Sequence, residues 1–367
     1  MRISLARGEL LDALNVVSKG LSSRSTLPIL SGILLTANGD SVVMQSTDLE
    51  ISVRHSVPAR IDAEGQVVVP GKLISDIVRS LPEAAVTMEA DGKDKIRVSC
   101  GQSSFSMKVL SPEDFPRFPE VKPDATVTMK AETIASIVRQ VSKAVSRDET
   151  RPVLTGVLVV TDGTALKMVA TDSYRLAVRD DEIETAPSEN INAVVPGKAL
   201  EEVTRLAGGS SAVSMGVAEN QVVFEFGGTV FVSRRIEGNF PNYRQLIPDS
   251  SETNVTVDRQ ELLDAVRRVS LMAQHNAPLR MKVSVEEQTL TLSATTQDVG
   301  EAKEDIQVQA EGQDVEMAFN HAYLADGVAV ANSEQVVIGM ISPLKPGVMR
   351  SVGTEDYTYL LMPVRIG

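Results

Sequence analysis

The chain has 367 residues, too many for one ordinary core and comfortable for two or three. Its 36 basic and 49 acidic side chains leave a net charge of −13, which on its face argues against a nucleic-acid partner. A lone cysteine, Cys100, excludes an intramolecular disulfide, and 4% aromatics without tryptophan exclude base stacking as the main mode of contact.

In chain order, residues 3–21 read as a strand, a polar corner and a helix, with Leu10, Leu11, Leu14 and Val17 at helical spacing. Residues 26–57 follow with Pro28, an apolar strand, an Asn38-Gly39 turn, an alternating strand, a Thr47-Asp48 corner and a third strand. A second helix lies in 67–82, carrying Leu73, Ile74, Ile77, Val78 and Leu81, and the pair Phe115-Pro116 comes later. After the short polar linker Lys122-Pro123-Asp124, the same order returns. Residues 127–145 match 3–21, with Ile134, Ile137, Val138 and Val141 on one helical face. Residues 151–183 match 26–57, with the turn at Asp162-Gly163 and the corner at Thr171-Asp172. Residues 193–208 match 67–82, Val222 to Phe226 alternate before Gly227-Gly228, and Phe240-Pro241 repeats the earlier pair. Past the linker Asp249 to Glu252, a third copy runs through 255–273, 277–308 and, more weakly, 317–332. A unit of about 120 residues therefore occurs three times, each predicted to be α+β with two helices packed on antiparallel sheet. The boundaries expected are 1–122, 126–248 and 253–367.

Catalytic signals do not emerge. His55, His275 and His321 fall in different repeats without ligand spacing, and one cysteine removes thiolate metal sites. Neither a Walker-type phosphate loop, nor a dinucleotide glycine fingerprint, nor a serine elbow is found. Asp48 and Asp172 occupy equivalent corners, where an aspartate caps its own turn; a carboxylate dyad would need both in one site. No metal and no cofactor are expected. A charged N-terminus and the lack of any apolar run near ~20 residues predict a cytoplasmic protein without membrane spans. The chain reads as a scaffold or binder rather than an enzyme. Two alternatives stay open: a peptide-binding scaffold that never touches nucleic acid, and a hydrolase working through carboxylates and a divalent ion.

One set of motifs is jointly specific: Thr26 to Leu30, Thr47 to Glu50, Ala170-Thr171-Asp172 with Arg175-Leu176-Ala177, Phe240-Pro241 with Tyr243, and Met362 to Arg365. From end to end it resembles the bacterial sliding clamp, the beta subunit of DNA polymerase III. The resemblance implies three domains of the DNA-clamp fold, a head-to-tail homodimer forming a six-domain ring around duplex DNA, and no catalysis. It implies tethering of the replicative DNA polymerase, which confers processivity, and opening by a clamp loader. Geometry permits this. Spheres of about 35 Å leave a hole of only ~5 Å when three touch and about 35 Å when six do. The duplex is roughly 20 Å across.

The resemblance also assigns residues. DNA contacts fall at Arg24, at Lys72 and between Arg147 and Pro152, where Pro152-Val153 replaces an aromatic pair and Arg147 and Arg151 are the substitutes; Lys198 joins them. A peptide pocket for the polymerase III catalytic subunit, the clamp loader, other DNA polymerases and repair proteins is lined by Leu154, Thr171, Ser173, Tyr174, Arg175 and Leu176. Pro241, Leu246, Leu360, Leu361, Met362, Pro363, Val364 and Arg365 complete it. Ser173 and Tyr174 stand where Gly and His are commoner, and Gln245 where a basic residue is common. At the dimer seam the resemblance places Leu271 and Met272, with Glu301, Glu304 and Asp305 facing Lys108, Lys95 and Arg97 of the partner. Gln102 and Ser104 occupy positions where bases are frequent.

Overall fold

A computed structural model describes residues 1–22, 27–90, 94–274 and 277–365. Among the described residues there are six helices: α1 (Arg7–Val17), α2 (Gly71–Ser80), α3 (Ala131–Val141), α4 (Gly197–Leu206), α5 (Arg259–Ser270) and α6 (His321–Val330). Two per repeat is what the periodicity predicts. α1 buries Leu10, Ala13, Leu14 and Val17, three and four residues apart, the spacing that puts side chains on one face. α2 buries Ile74, Ile77 and Val78, whereas Leu73, counted with the core on spacing, is exposed. It lies just off the buried stripe. α5 starts where the Asp258 carboxylate accepts the Glu261 amide at 2.8 Å, and α6 where Asn320 accepts the amides of Ala322 and Tyr323.

Among the described residues the strands form four antiparallel sheets, and two of these cross the repeat boundaries. An eight-stranded sheet joins Ala125–Lys130, Ala212–Val217, Gln221–Phe226 and Thr229–Arg234 of the second repeat to Ile51–Pro58, Ser41–Thr47, Gly32–Asn38 and Gly65–Pro70 of the first. A nine-stranded sheet runs Asn192–Pro196, Gly156–Asp162, Ala165–Thr171, Arg175–Glu182, Tyr357–Leu361, Gly347–Ser351, Gln335–Met340, Thr253–Asp258, Gln309–Glu311. Smaller sheets hold the two ends: Arg60–Ala63, Arg2–Ala6, Ala85–Ala90, Lys95–Cys100 and Ser103–Lys108 in one, Gly300–Gln307, Thr289–Thr296, Leu279–Ser284 and Val315–Phe319 in the other. The chain thus divides by contact into two compact units, Met1–Glu132 with Glu202–Arg235, and Thr133–Glu201 with Ile236–Gly367. The central repeat contributes a sheet to each.

Local turns follow the sequence. Gly227 and Gly228 take φ of 49° and 74°, and a two-residue hairpin with positive φ at both positions matches strand twist. In the first unit, Thr229 sits opposite His55, and the His55 Nδ1 lies 2.8 Å from the Thr229 hydroxyl. Burial lowers the His55 pKa from its ordinary 6.5, so the unfolded chain takes up this proton more readily than the folded one. Stability from this site is therefore present above pH 6.5 and lost as pH falls through the depressed value. Resistance of the first unit to denaturation, followed against pH, is expected to fall on acidification, and His55→Gln to flatten that slope; an unchanged slope in the variant would assign the effect elsewhere.

Candidate functional site

The Thr-Asp corners are built alike. In the second repeat the Thr171 hydroxyl donates to the Arg175 carbonyl at 2.7 Å and accepts the Ser173 amide at 3.1 Å. Asp172 Oδ1 accepts the amides of Tyr174 and Arg175 at 2.9 and 3.0 Å. In the first repeat Thr47 and Asp48 do the same for Leu49, Glu50 and Ile51. The turn tip is left-handed in both, with φ of 78° at Leu49 and 80° at Ser173. The capping role read from sequence for both aspartates holds. Both Asp172 oxygens accept from this chain's own donors.

The corners part at their last residue, Ile51 in one and Arg175 in the other. Arg175 is buried, and its Nε donates to Asp172 Oδ2 at 3.0 Å. Its Nη1 donates to Asp326 Oδ2 at 2.6 Å and to the Tyr359 hydroxyl at 3.3 Å, while the Tyr323 ring lies 4.2 Å from the guanidinium. Burial pulls the Arg175 pKa down, but Tyr359, Asp326 and Asp172 outweigh it and raise it, so the group stays charged. Burial raises the Tyr359 pKa, so that phenol stays neutral and donates to the Tyr323 carbonyl at 2.9 Å.

Beside this corner runs the C-terminal strand, with Arg175 opposite Leu361 and Leu176 opposite Leu360. Its continuation is pinned by Met362 N to Tyr174 O at 2.9 Å and Val364 N to Ala318 O at 2.8 Å. Below lies a core of Leu158, Val169, Leu176, Val178, Val194, Tyr243, Val348 and Leu360, with Phe240 and Ile247 packed on it. The pocket residues expected from sequence therefore separate into two sets. Leu154, Thr171, Leu176, Leu360 and Leu361 are buried and form the supporting floor. Tyr174 (60% exposed), Leu246 (44%), Met362 (39%) and Val364 (38%) reach solvent, as do Pro241 and Arg365, with Pro363 and Ser173 at or near the surface. Phe240, Tyr243, Ile247 and Val348 belong to this core or pack on it, and the Phe240-Pro241-x-Tyr243 motif marks two of them.

A cleft of roughly 810 Å³ opens next to Tyr174 and Arg175, walled by Tyr323 and Asp326. Three residues expected to contact DNA line it: Arg147, Arg151 and Lys198. Arg151 is already engaged, its Nε with Asp148 at 2.9 Å and its Nη1 with the Ser173 hydroxyl at 2.9 Å. Lys198 faces Glu149 at 3.8 Å with both side chains in solvent, a pair of little energetic weight. Lys72 is exposed in the first turn of α2, in the other compact unit, and Arg24 lies outside the described residues.

Of the seam residues, Leu271 is 70% exposed just past α5, and Met272 is half-buried. Glu304 and Asp305, read from sequence as partners for another chain, have internal ones. Arg268 Nε donates to Glu304 at 3.0 Å and holds that carboxyl below its ordinary range; Asp305 accepts from Thr291 and Lys303. Glu301 is exposed on the same outer strand, Gly300–Gln307, and Lys108 is exposed on the outer strand Ser103–Lys108. Among the described residues no His, Cys, Asp or Glu side chains cluster as metal ligands, and no helix is long and apolar enough to cross a membrane.

Comparison with known proteins agrees over the whole chain. Residues 1–119, 128–242 and 244–365 match the N-terminal, central and C-terminal domain models of the DNA polymerase III beta subunit. The beta sliding clamp of Staphylococcus aureus is 32% identical over 375 aligned residues, covering 100% of this chain and 99% of that protein. The crystal structure of the DNA polymerase sliding clamp from Bacillus subtilis superposes with a TM-score of 0.96 at 28% identity, covering both chains fully. The Pseudomonas aeruginosa clamp bound to griselimycin gives 0.94 at 27% identity, again over 100% of each. Three domain models in order, a curated relative along the full length and the shared fold lead to one conclusion: the chain belongs to the DNA polymerase III beta subunit family, sliding clamps that act in DNA replication without catalysing a reaction.

Proposed function

We propose that the exposed apolar margin around Tyr174, Leu246, Met362 and Val364 receives short peptides of the DNA polymerase III catalytic subunit, the clamp loader, and other polymerases and repair proteins. The observation that carries this reading is apolar surface held open on a rigid floor. Four large side chains stay in solvent beside a core that could have covered them, and burying each on binding stabilises a complex by about 1.5–3 kcal/mol at most. At the equivalent corner of the first repeat the chain alongside leads into Arg234 and Arg235 rather than Met362 and Pro363.

Two copies close head to tail in this reading. The outer strand Ser103–Lys108 of one copy, with Lys108 and neighbouring Lys95 and Arg97, adds to the outer strand Gly300–Gln307 of the next. Unpaired strand edges and opposite charge support that, with Leu271 and Met272 as the apolar contribution. Domains 1–122, 126–248 and 253–367 repeat around the ring, which acts in the cytoplasm. Arg24, Lys72, Arg147, Arg151 and Lys198 touch the enclosed duplex weakly enough to slide, because tight neutralisation of phosphates would immobilise it.

Two measurements test this. Once loaded, the protein is expected to stay on nicked circles and to leave linear DNA through its ends; equal retention on both would remove the ring. Deleting Met362 to Gly367 is expected to abolish binding to the immobilised catalytic subunit while solution mass stays that of a dimer. Undiminished binding would remove the pocket.

A further inference from the structure

We propose that Asp326 is a positioning residue for the peptide pocket: from α6 it holds the Arg175 guanidinium, and through it the 171–176 corner, in the geometry that a partner peptide meets. The inference rests on the pocket reading above. Its ground is a clasp of three layers. α6 can approach the C-terminal strand only because residue 327 is glycine; a Cβ built there would come within 2.4 Å of the Tyr359 ring. That approach brings the preceding residue, Asp326, to 2.6 Å from Arg175 Nη1 and lets the Tyr359 hydroxyl reach the Tyr323 carbonyl. Arg175 then ties α6 to Asp172, whose other oxygen holds the amides of Tyr174 and Arg175 itself. The Tyr174 carbonyl in turn accepts the Met362 amide. A continuous run of bonds therefore leads from α6 to the two most exposed aromatic and sulfur-bearing side chains of the pocket.

The arrangement changes what Arg175 does. A guanidinium with two carboxylates, a phenol and an aromatic face already in place is the interior brace of the site, and Asp326 is the only one of these carboxylates outside the corner. Removing it leaves the corner its caps but frees the guanidinium to turn into the cleft. A binding site loosened by a fraction of an ångström loses affinity without losing its residues.

The test is the affinity of the assembled protein for the immobilised DNA polymerase III catalytic subunit, alongside solution mass and thermal midpoint. Asp326→Ala is expected to weaken binding about tenfold, chiefly through faster dissociation, with dimer mass retained. Asp326→Glu, which restores a carboxylate within reach, is expected to recover most of it. Amide exchange at Tyr174 and Arg175 is expected to speed up in the first variant and not in the second. Unchanged binding in Asp326→Ala, while deletion of Met362 to Gly367 abolishes it, overturns the positioning role alone. Unchanged binding in both removes the pocket itself. Equal loss in Asp326→Ala and Asp326→Glu also overturns the proposal, because a generic packing defect would not distinguish them by charge. If the alanine variant melts below the assay temperature, Asp326→Asn is measured under the same criteria.

Discussion

Asp172→Ala is expected to cost its compact unit roughly 3–5 kcal/mol, while the equivalent Asp48→Ala costs the other unit about 1–2 kcal/mol. The two positions are matched by the repeat and capped alike, so most of their environment cancels. Asp48 supplies one carboxylate oxygen to the amides of Glu50 and Ile51, at a half-exposed site where water can replace it. Asp172 does the same work and in addition faces a guanidinium; the Asp172 and Arg175 side chains are only 11% and 10% exposed. Truncating it strands a buried cation with one carboxylate fewer, which is the costly way to break an ion pair. A chain that divides into two compact units need not unfold in a single transition, so a local measure is the right one. Hydrogen exchange in strands Arg175–Glu182 and Ile51–Pro58 reads each locally. Equal losses at the two corners would mean that the Arg175 clasp adds nothing to the cap.

Leu271→Asp is expected to leave the fold intact and to abolish the dimer. At 70% exposure the leucine contributes little to its own chain, and a polar replacement there falls within about 0.5 kcal/mol. In a closed seam the same side chain would be buried, and an aspartate in its place would cost the association roughly 2–4 kcal/mol. The neighbouring acids sharpen the result. Glu304 and Asp305 are already engaged by Arg268, Thr291 and Lys303, so in the proposed seam the apolar part would carry more of the affinity than charge alone implies. Sedimentation equilibrium should show the variant at half the parental mass with an unchanged thermal midpoint. Parental mass in Leu271→Asp would place the interface elsewhere.

Much of the candidate site was legible because it is made by neighbours in sequence. Thr171, Asp172 and Arg175 build their corner within five residues, and Asp48 shows the same pattern one repeat earlier. Met362 and Val364, just past the last strand, are exposed, as chain beyond a strand end commonly is. The partners of the charged candidates were not legible. Arg151 bonds Ser173, Arg268 bonds Glu304, and Arg175 meets Asp326 from another repeat. Nothing in the local spacing of a charge says which opposite charge will be folded against it.

By itself the sequence determined the repeating unit, its six helices, its glycine turns and its self-capping corners. Each of these depends on periodicity or on a side chain reaching its own backbone, and both act within one or two turns of chain. Only the tertiary structure decided that the repeats do not fold as three separate sheets. Strands Thr229–Arg234 and Arg175–Glu182 each present an open edge that a strand of a neighbouring repeat satisfies, because a backbone ladder bonds whatever edge is held against it. The same pairing lays the C-terminal strand beside Arg175 and brings α6 onto it, and that packing distinguishes the clasped corner at Thr171 to Arg175 from its match at Thr47 to Ile51.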